Sequence, residues 1–290
     1  MDDLAILFCR PEPGSTMEDA FELEADTVDA LDLESFVISA DLVVDGEPER
    51  AMRKVSRDAG RLLFRGPILT AEEYEALYEA AAERGAELVV DPVAYEHALY
   101  VPEHHDAIAD LAAPARWTYG EDLDEAWEAA RELGDPPWLL KDHVKSVKEQ
   151  WEDACFVPGG ATKQEFMRIA ETMVELRGER FARGIVIRKF LELAPSSVRT
   201  AERRIPDEHR LFFWEGKLIC HAPYHDVGDP LDDVSQFSLL GRRIASPFFT
   251  ADVAFLRDGG WIVVEINDGG VSSLPEQLDP RALYRAIAGR

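Results

Sequence analysis

Short apolar runs alternate with segments of helical spacing through the first hundred residues. Leu4–Cys9 is a continuous apolar run of strand length. Ser35–Ser39 and Asp41–Val44 read as further short strands. Arg61–Arg65 is another, stopped by Gly66-Pro67, and Glu87–Val90 the next, closed by Asp91-Pro92. Between them, Met17–Leu31 carries apolar residues at helical spacing on a very acidic background. Ala71–Arg84 does the same, with Thr70 and Glu73 spaced for a capping box and Gly85 in the terminating position. Alternation of this kind predicts an open α/β sheet over residues 1–113.

Ala112-Ala113-Pro114 reads as a linker, and the pattern changes beyond it. Asp122–Leu133 is helical, closed by Gly134 and Pro136-Pro137. Trp138–Leu140 is a strand leading into Lys141. Lys163–Arg177 is a strongly amphipathic helix ended by Gly178, and Gly184–Leu193 a strand. His209–Trp214 and Lys217–His221 form a hairpin around Glu215-Gly216. Leu231–Ile244 has helical spacing, and a short helix begins near Pro280. Antiparallel hairpins rather than βαβ units make this half α+β.

Residues 251–270 carry the densest chemistry. Val253–Leu256 and Trp261–Ile266 read as strands joined by a two-residue Asp258-Gly259 turn. That register sets Leu256 against Trp261, Ala254 against Val263 and Asp252 against Glu265. Asn267, two residues on, shares their face. Val253, Phe255, Ile262, Val264 and Ile266 form an apolar opposite face. Directly opposed carboxylates repel, so a cation is expected between them. An all-oxygen set of Asp252, Glu265 and Asn267 suits Mg²⁺, with Mn²⁺ as a substitute. Asp268-Gly269-Gly270 then lets backbone approach a ligand closely.

Fifty-seven acids against 31 bases give a net charge of −26. That excludes a nucleic-acid backbone or an anionic membrane as the main partner. Lysine is scarce: of seven, three (Lys141, Lys145 and Lys148) fall within eight residues. Cys9, Cys155 and Cys220 lie far apart and imply neither a disulfide framework nor a zinc site. The Met-Asp-Asp start lacks a signal pattern and no segment approaches 18 apolar residues, so a cytoplasmic protein is expected.

Lys141, Lys145 and Ser146 at the end of a buried strand suit phosphate oxygens. Arg188 ends the apolar part of the next strand. Lys189, Phe190 and Leu191 after it could offer backbone groups to a base, and Glu192 could take ribose hydroxyls. Arg210, entering an apolar strand, suits a phosphate or a carboxylate, whether of a ligand or of a neighbouring acid. Arg65-Gly66 is an arginine at a strand end, either paired or touching substrate. Neither G-x-x-x-x-G-K-[ST] nor G-x-G-x-x-G occurs, so nucleotide binding needs another cradle.

This order of features resembles the ATP-grasp superfamily: a lysine after an apolar strand, a second base, a hinge strand ending in glutamate, and a final D…E-x-N hairpin. It is similar in particular to bacterial and phage ATP-grasp proteins with K-D-x-V-K-S followed by an E-x-R-x-F strand; Arg65-Gly66 and Tyr95 look like their N-terminal elements. The resemblance implies a pre-ATP-grasp-like α/β domain (1–113) and a two-lobed ATP-grasp domain (114–290, lobes about 114–192 and 193–290) that clamps ATP. It implies Asp252, Glu265 and Asn267 as Mg²⁺ ligands, Lys141 on phosphate, and Lys145 and Arg210 on phosphate or intermediate. Arg188, Lys189, Phe190, Leu191 and Glu192 would surround the nucleoside. Two departures stand out: no glycine-rich flap follows Lys141 within 142–150, and an earlier lysine is missing from 114–137. The implied activity is carboxylate–amine ligation through an acyl phosphate, on small-molecule or peptide substrates, in a possible homodimer. A small-molecule kinase and a nucleotide-binding module with little turnover are the alternatives. Acceptor specificity is expected in the N-terminal domain and in loops such as 195–207 and 223–231, and deletion of one acid is expected to lower turnover more than folding.

Overall fold

The computed structural model describes residues 4–15, 17, 19–196, 205–225, 228, 231 and 233–289. The chain forms two compact units. One comprises Met1–Ala98, Ser196–Val253 and Glu265–Arg290; the other comprises Leu99–Pro195 and Ala254–Val264. The structure is mixed α/β, with one parallel and two antiparallel-containing sheets.

Four strands open the first unit: β1 (Leu4–Arg10), β2 (Ser35–Ser39), β3 (Gly60–Arg65) and β4 (Ala86–Leu88). They lie parallel in the order β2-β1-β3-β4. Central β1 is buried from Ala5 to Cys9, as a continuous apolar run demands of a strand covered on both faces. The Ala71–Ala82 helix carries the expected capping box, Thr70 accepting from the Glu73 N–H and Glu73 from the Thr70 N–H. Two expectations change. The acidic helix begins only at Glu22 and runs to Ala30. Residues 40–44 form a short helix, not a strand, because Ser39 Oγ caps it by accepting the Leu42 N–H at 3.1 Å.

The second unit holds β5 (Ala115–Trp117), β6 (Trp138–Asp142), β7 (Phe156–Val157) and β8 (Ile185–Lys189), in the order β5-β8-β6-β7. β5 and β7 lie outside the strands expected from the pattern. One face carries Trp138, Leu140, Ile185 and Ile187 against Ala126 and Ala130 of the Leu123–Arg131 helix. Phe166, Ile169, Ala170 and Met173 of the Lys163–Arg177 helix complete this core. Each such fully buried large side chain contributes about 1.5–3 kcal/mol. β8 is shorter than its apolar pattern suggests; Phe190–Leu193 lie beyond it.

The third sheet has the order β10-β9-β11-β12, from β9 (Glu208–Trp214), β10 (Lys217–Pro223), β11 (Phe248–Phe255) and β12 (Trp261–Asp268). The helix expected over 231–244 is reduced to a 3₁₀ turn at Ser235–Phe237 and one helical turn at Leu240–Arg243. There Gly241 packs backbone to backbone on Gly216, and a Cβ on it would meet the Gly216 carbonyl at 2.0 Å. The β11–β12 connection also differs from expectation. The Leu256 N–H donates to the Gly260 carbonyl at 2.9 Å and the Gly259 N–H to the Leu256 carbonyl at 3.0 Å. The turn is therefore the three residues Arg257–Gly259, with Leu256 facing Gly260 and both glycines at positive φ. The Phe255 and Trp261 rings meet at 5.3 Å. Among the described residues, no helix is long and apolar enough to cross a membrane.

Candidate functional site

In the second unit, register decides which side chains share a face. Lys141 pairs with Val186, Leu139 with both Arg188 and Phe156, and Arg188 also with Ala115. Leu139, Lys141, Phe156, Val186 and Arg188 therefore lie on the face away from the two helices. Lys141 is buried there. Its charge and that of Lys148 act on Cys155, whose thiol burial pushes up to about 11 against their pull.

Asp142, on the helix side, fixes the turn that carries Lys145. Asp142 Oδ1 accepts the Val144 N–H at 2.7 Å and the Lys145 N–H at 2.5 Å. Oδ2 accepts Arg177 Nε at 2.6 Å and the Ala182 N–H at 3.2 Å. The Lys145 side chain is exposed. Arg188 Nη1 donates to the Val264 carbonyl, and Lys189 Nζ to the Asp135 carbonyl. The Phe190 N–H donates to the Pro137 carbonyl at 3.1 Å. Its ring stands edge-on to Phe156 and Trp151, which stack on each other at 5.6 Å. Leu191 is half-buried; exposed Glu192 pairs with Arg257.

In the first unit, Arg210 projects from β9 and Asp252 from β11, both buried. Arg210 Nε and Nη2 each donate to one Asp252 oxygen at 2.8 Å, and Nη1 to the Ser273 carbonyl at 3.0 Å. Burial pushes the Asp252 carboxyl above its ordinary range, against the Arg210 charge. Burial would lower Arg210, but the Asp252 carboxylate holds it above its usual value. Glu265 is half-buried, and its charge acts on both members of the pair; Asn267 is half-buried two residues on. The cation beside the hairpin acids is thus Arg210. Burial along β12 falls at Val263, Ile266 and Asp268, so the simple two-residue alternation expected there breaks.

β12 ends in a tightly held turn. Asp268 Oδ1 accepts the Gly270 N–H at 2.8 Å, while Oδ2 is buried with no hydrogen-bond partner among the described residues. Burial pushes this carboxyl up to about 7, against the Gly270 N–H and the Arg65 charge. Arg65 is fully buried. Its Nε donates to Glu24 Oε2 at 3.0 Å, Nη2 to Glu24 Oε1 at 2.6 Å, and Nη1 to the Gly269 carbonyl. Tyr284 Oη donates to Glu24 Oε2 at 2.5 Å. Glu24 and Tyr284 carried no visible signal in the sequence.

A family model described as an ATP-grasp domain, the third family of its clade, matches residues 132–287, more than half of the chain. The chain belongs to the ATP-grasp family. Solved ATP-grasp structures share its fold at low identity. A RimK domain ATP-grasp protein from Sphaerobacter thermophilus is 17% identical, with TM-score 0.60 and 98% of each chain covered. The D-alanine-D-alanine ligase of Coxiella burnetii is 10% identical, with TM-score 0.61, 98% of this chain and 92% of that one. The ATP-grasp ligase PsnB, complexed with minimal precursor, Mg and ADP, is 13% identical, with TM-score 0.56, 99% of this chain and 97% of that one. No curated protein sequence matched the chain.

An ATP-grasp protein implies Mg²⁺, and the donor types here suit it: Asp252 and Glu265 offer carboxylate oxygens and Asn267 an amide oxygen, the Glu265 charge acts on Asp252, and each Asp252 oxygen also accepts one Arg210 bond. Among the described residues, no group of three His, Cys, Asp or Glu side chains gathers as a metal site. A Mg²⁺ set would therefore combine the two acids with the Asn267 amide. Loops 195–207 and 223–231, where acceptor specificity is expected, fall partly outside the described residues, at 197–204, 226–227 and 229–230.

Proposed function

We propose that this chain is an ATP- and Mg²⁺-dependent carboxylate–amine ligase acting through an acyl phosphate. The observation that carries the reading is the grouping of Asp252, Glu265 and Arg210 at the β11–β12 hairpin, with Asn267 two residues on. Two of the structures that share the fold are named as ligases.

In this reading a substrate carboxylate oxygen attacks the γ-phosphorus of ATP, the bond to the β,γ-bridging oxygen breaks, and ADP leaves. The amine then attacks the acyl carbon, expels phosphate and loses a proton. The chain supplies no nucleophile; its residues bind, orient and neutralise. Lys141 and Lys145 take phosphoryl oxygens. Arg210 presents its guanidinium beside the metal ligands to the phosphoryl group or intermediate. Phe190 and Leu191 take the base, and Arg188, Lys189 and Glu192 the rest of the nucleoside. Asp252, Glu265 and Asn267 would hold Mg²⁺, which when bound offsets charge spreading over the phosphoryl oxygens.

Thermal melting with ATP and Mg²⁺ against ATP and EDTA, in wild type and Glu265→Ala, tests the nucleotide site. A metal-dependent rise in wild type that Glu265→Ala abolishes supports it; no rise at millimolar ATP overturns it. Phosphate release is then screened over carboxylic acids with hydroxylamine as the amine. Hydroxamate formation supports the acyl phosphate. A stable phosphorylated product without hydroxamate identifies a kinase instead.

A further inference from the structure

We infer that Arg65 is a positioning residue for the metal ligands on β12, acting through the carbonyl of Gly269. The inference rests on the ligase reading above, because that reading makes Glu265 and Asn267 metal ligands. Arg65 lies outside the part of the chain matched by the family model.

The turn after β12 is tied down at several points. Arg65 Nη1 donates to the Gly269 carbonyl, and the Gly66 N–H to the Gly270 carbonyl at 3.0 Å. Ser272 Oγ donates to the Asp268 carbonyl at 2.8 Å and meets Thr250 Oγ1 of β11 at 2.8 Å. Arg210 holds the far end, at Ser273. Side chains cannot enter: a Cβ on Gly269 would lie 2.5 Å from the Phe248 ring, and one on Gly270 would lie 2.7 Å from the Phe64 carbonyl. Asn267 is two residues upstream of the carbonyl that Arg65 grips. An error in that carbonyl's position is passed to the Asn267 amide and Glu265 with little slack.

The construction around Arg65 exceeds what packing needs. Its guanidinium is fully buried, spread over Phe21 at 4.7 Å, and forked onto a carboxylate that Tyr284 also holds. Such a buried pair adds little net stability over apolar residues of the same volume. What it supplies is a donor of fixed direction aimed at one carbonyl, the role of the outer groups that orient metal ligands.

The test compares wild type, Arg65→Met, Arg65→Lys and Tyr284→Phe, all as the full chain. Affinity for ATP is measured by calorimetry in EDTA and again with Mn²⁺, which also permits a spectroscopic count of bound metal. Loss of an orienting group typically weakens metal binding about 10–100-fold. We expect Arg65→Met to lose that much of the Mn²⁺-dependent gain while keeping metal-free ATP affinity. Arg65→Lys should recover part of it, and Tyr284→Phe should show a smaller loss in the same direction. A merely structural role would lower the melting temperature and leave the Mn²⁺-dependent gain intact in the folded protein, which overturns the proposal. If Arg65→Met does not fold, Arg65→Lys and Tyr284→Phe decide: wild-type Mn²⁺ binding in both overturns it. Wild type that binds neither ATP nor Mn²⁺ overturns the ligase reading, and this inference with it. Wild type that binds both while the variants match it overturns only the inference.

Discussion

Replacing Arg210 by methionine strips the Asp252 carboxylate of both its 2.8 Å bonds while roughly keeping the side-chain volume. Charge-assisted bonds of this kind are each worth about 1.5–3 kcal/mol. Their sum is not the net effect, because burying two ions costs several kcal/mol. What decides the outcome is the orphan: Asp252 is 2% exposed, so water cannot replace the lost partner. Breaking one side of a buried pair costs about 3–5 kcal/mol. The two single variants should differ with pH. After Asp252→Leu the orphan is a guanidinium that cannot shed its proton, so the cost stays constant. After Arg210→Met the orphan is a carboxyl whose folded pKa burial raises above its unfolded value. The native state then binds the extra proton, so stability is retained at low pH and lost as pH rises through the folded value. The deficit against wild type should grow between about pH 5 and about pH 8. The double variant Arg210→Met/Asp252→Leu should recover most of the loss. Urea unfolding of all four proteins at both pH values, followed by Trp214, the tryptophan of that unit, gives the coupling. A coupling below about 0.5 kcal/mol, or an Arg210→Met deficit flat in pH, refutes the argument. Deleting Asp252 is therefore expected to lower stability as well as turnover, which makes half-buried Glu265 the cleaner probe of turnover.

Lys141→Ala should weaken ATP binding about 10–100-fold in calorimetry, the value of a charged contact to phosphate, with the melting temperature little changed; unaltered affinity removes Lys141 from the site. Gly184→Ala would set a Cβ 1.9 Å from the Thr118 carbonyl and 2.7 Å from His143 Nε2. Such overpacking costs about 1–3 kcal/mol, and an unchanged urea midpoint contradicts the close approach. Asp268, with its carboxyl pushed up to about 7 by burial, favours the folded state in its protonated form. That contribution is present below its unfolded value near 4 and lost as pH rises toward 7, by up to about 1.4 kcal/mol per pH unit. Asp268→Asn should abolish this fall in melting experiments across that range, and parallel wild-type and variant profiles would contradict it.

Local chemistry explains which elements could be read from the chain. Thr70 with Glu73, and Thr162 with Glu165, cap helices within their own turns, so both helices were visible without tertiary knowledge. Asp41–Val44 misled because four residues of mixed polarity fit either period, and the deciding bond runs from Ser39 outside the segment. Helical spacing over 231–244 survives only as the 3₁₀ turn Ser235–Phe237 and one helical turn at Leu240–Arg243, where the backbone of Gly241 lies against Gly216. β5 and β7, three and two residues long, are too short to display any period. At the candidate site, residue types and order were legible but partnerships were not. Arg210 and Asp252 lie 42 positions apart and Glu24 and Arg65 lie 41 apart. Glu24 looks like any other acid in a segment crowded with them.

The bond between Tyr284 and Glu24 spans 260 residues. During synthesis at about 5–20 residues per second, Glu24 waits roughly 13–52 s before the tyrosine that completes its network is made. Until then the Glu22–Ala30 helix lacks the Pro280–Ile287 helix that packs on it, whose Leu283, Tyr284 and Ile287 are buried in the folded chain. The Glu22–Ala30 helix is therefore completed long after it is made. A stop codon shortly before Pro280 would spare every candidate ligand yet leave a buried carboxylate short of its hydroxyl, and the expected product is a target for proteolysis rather than a slow enzyme.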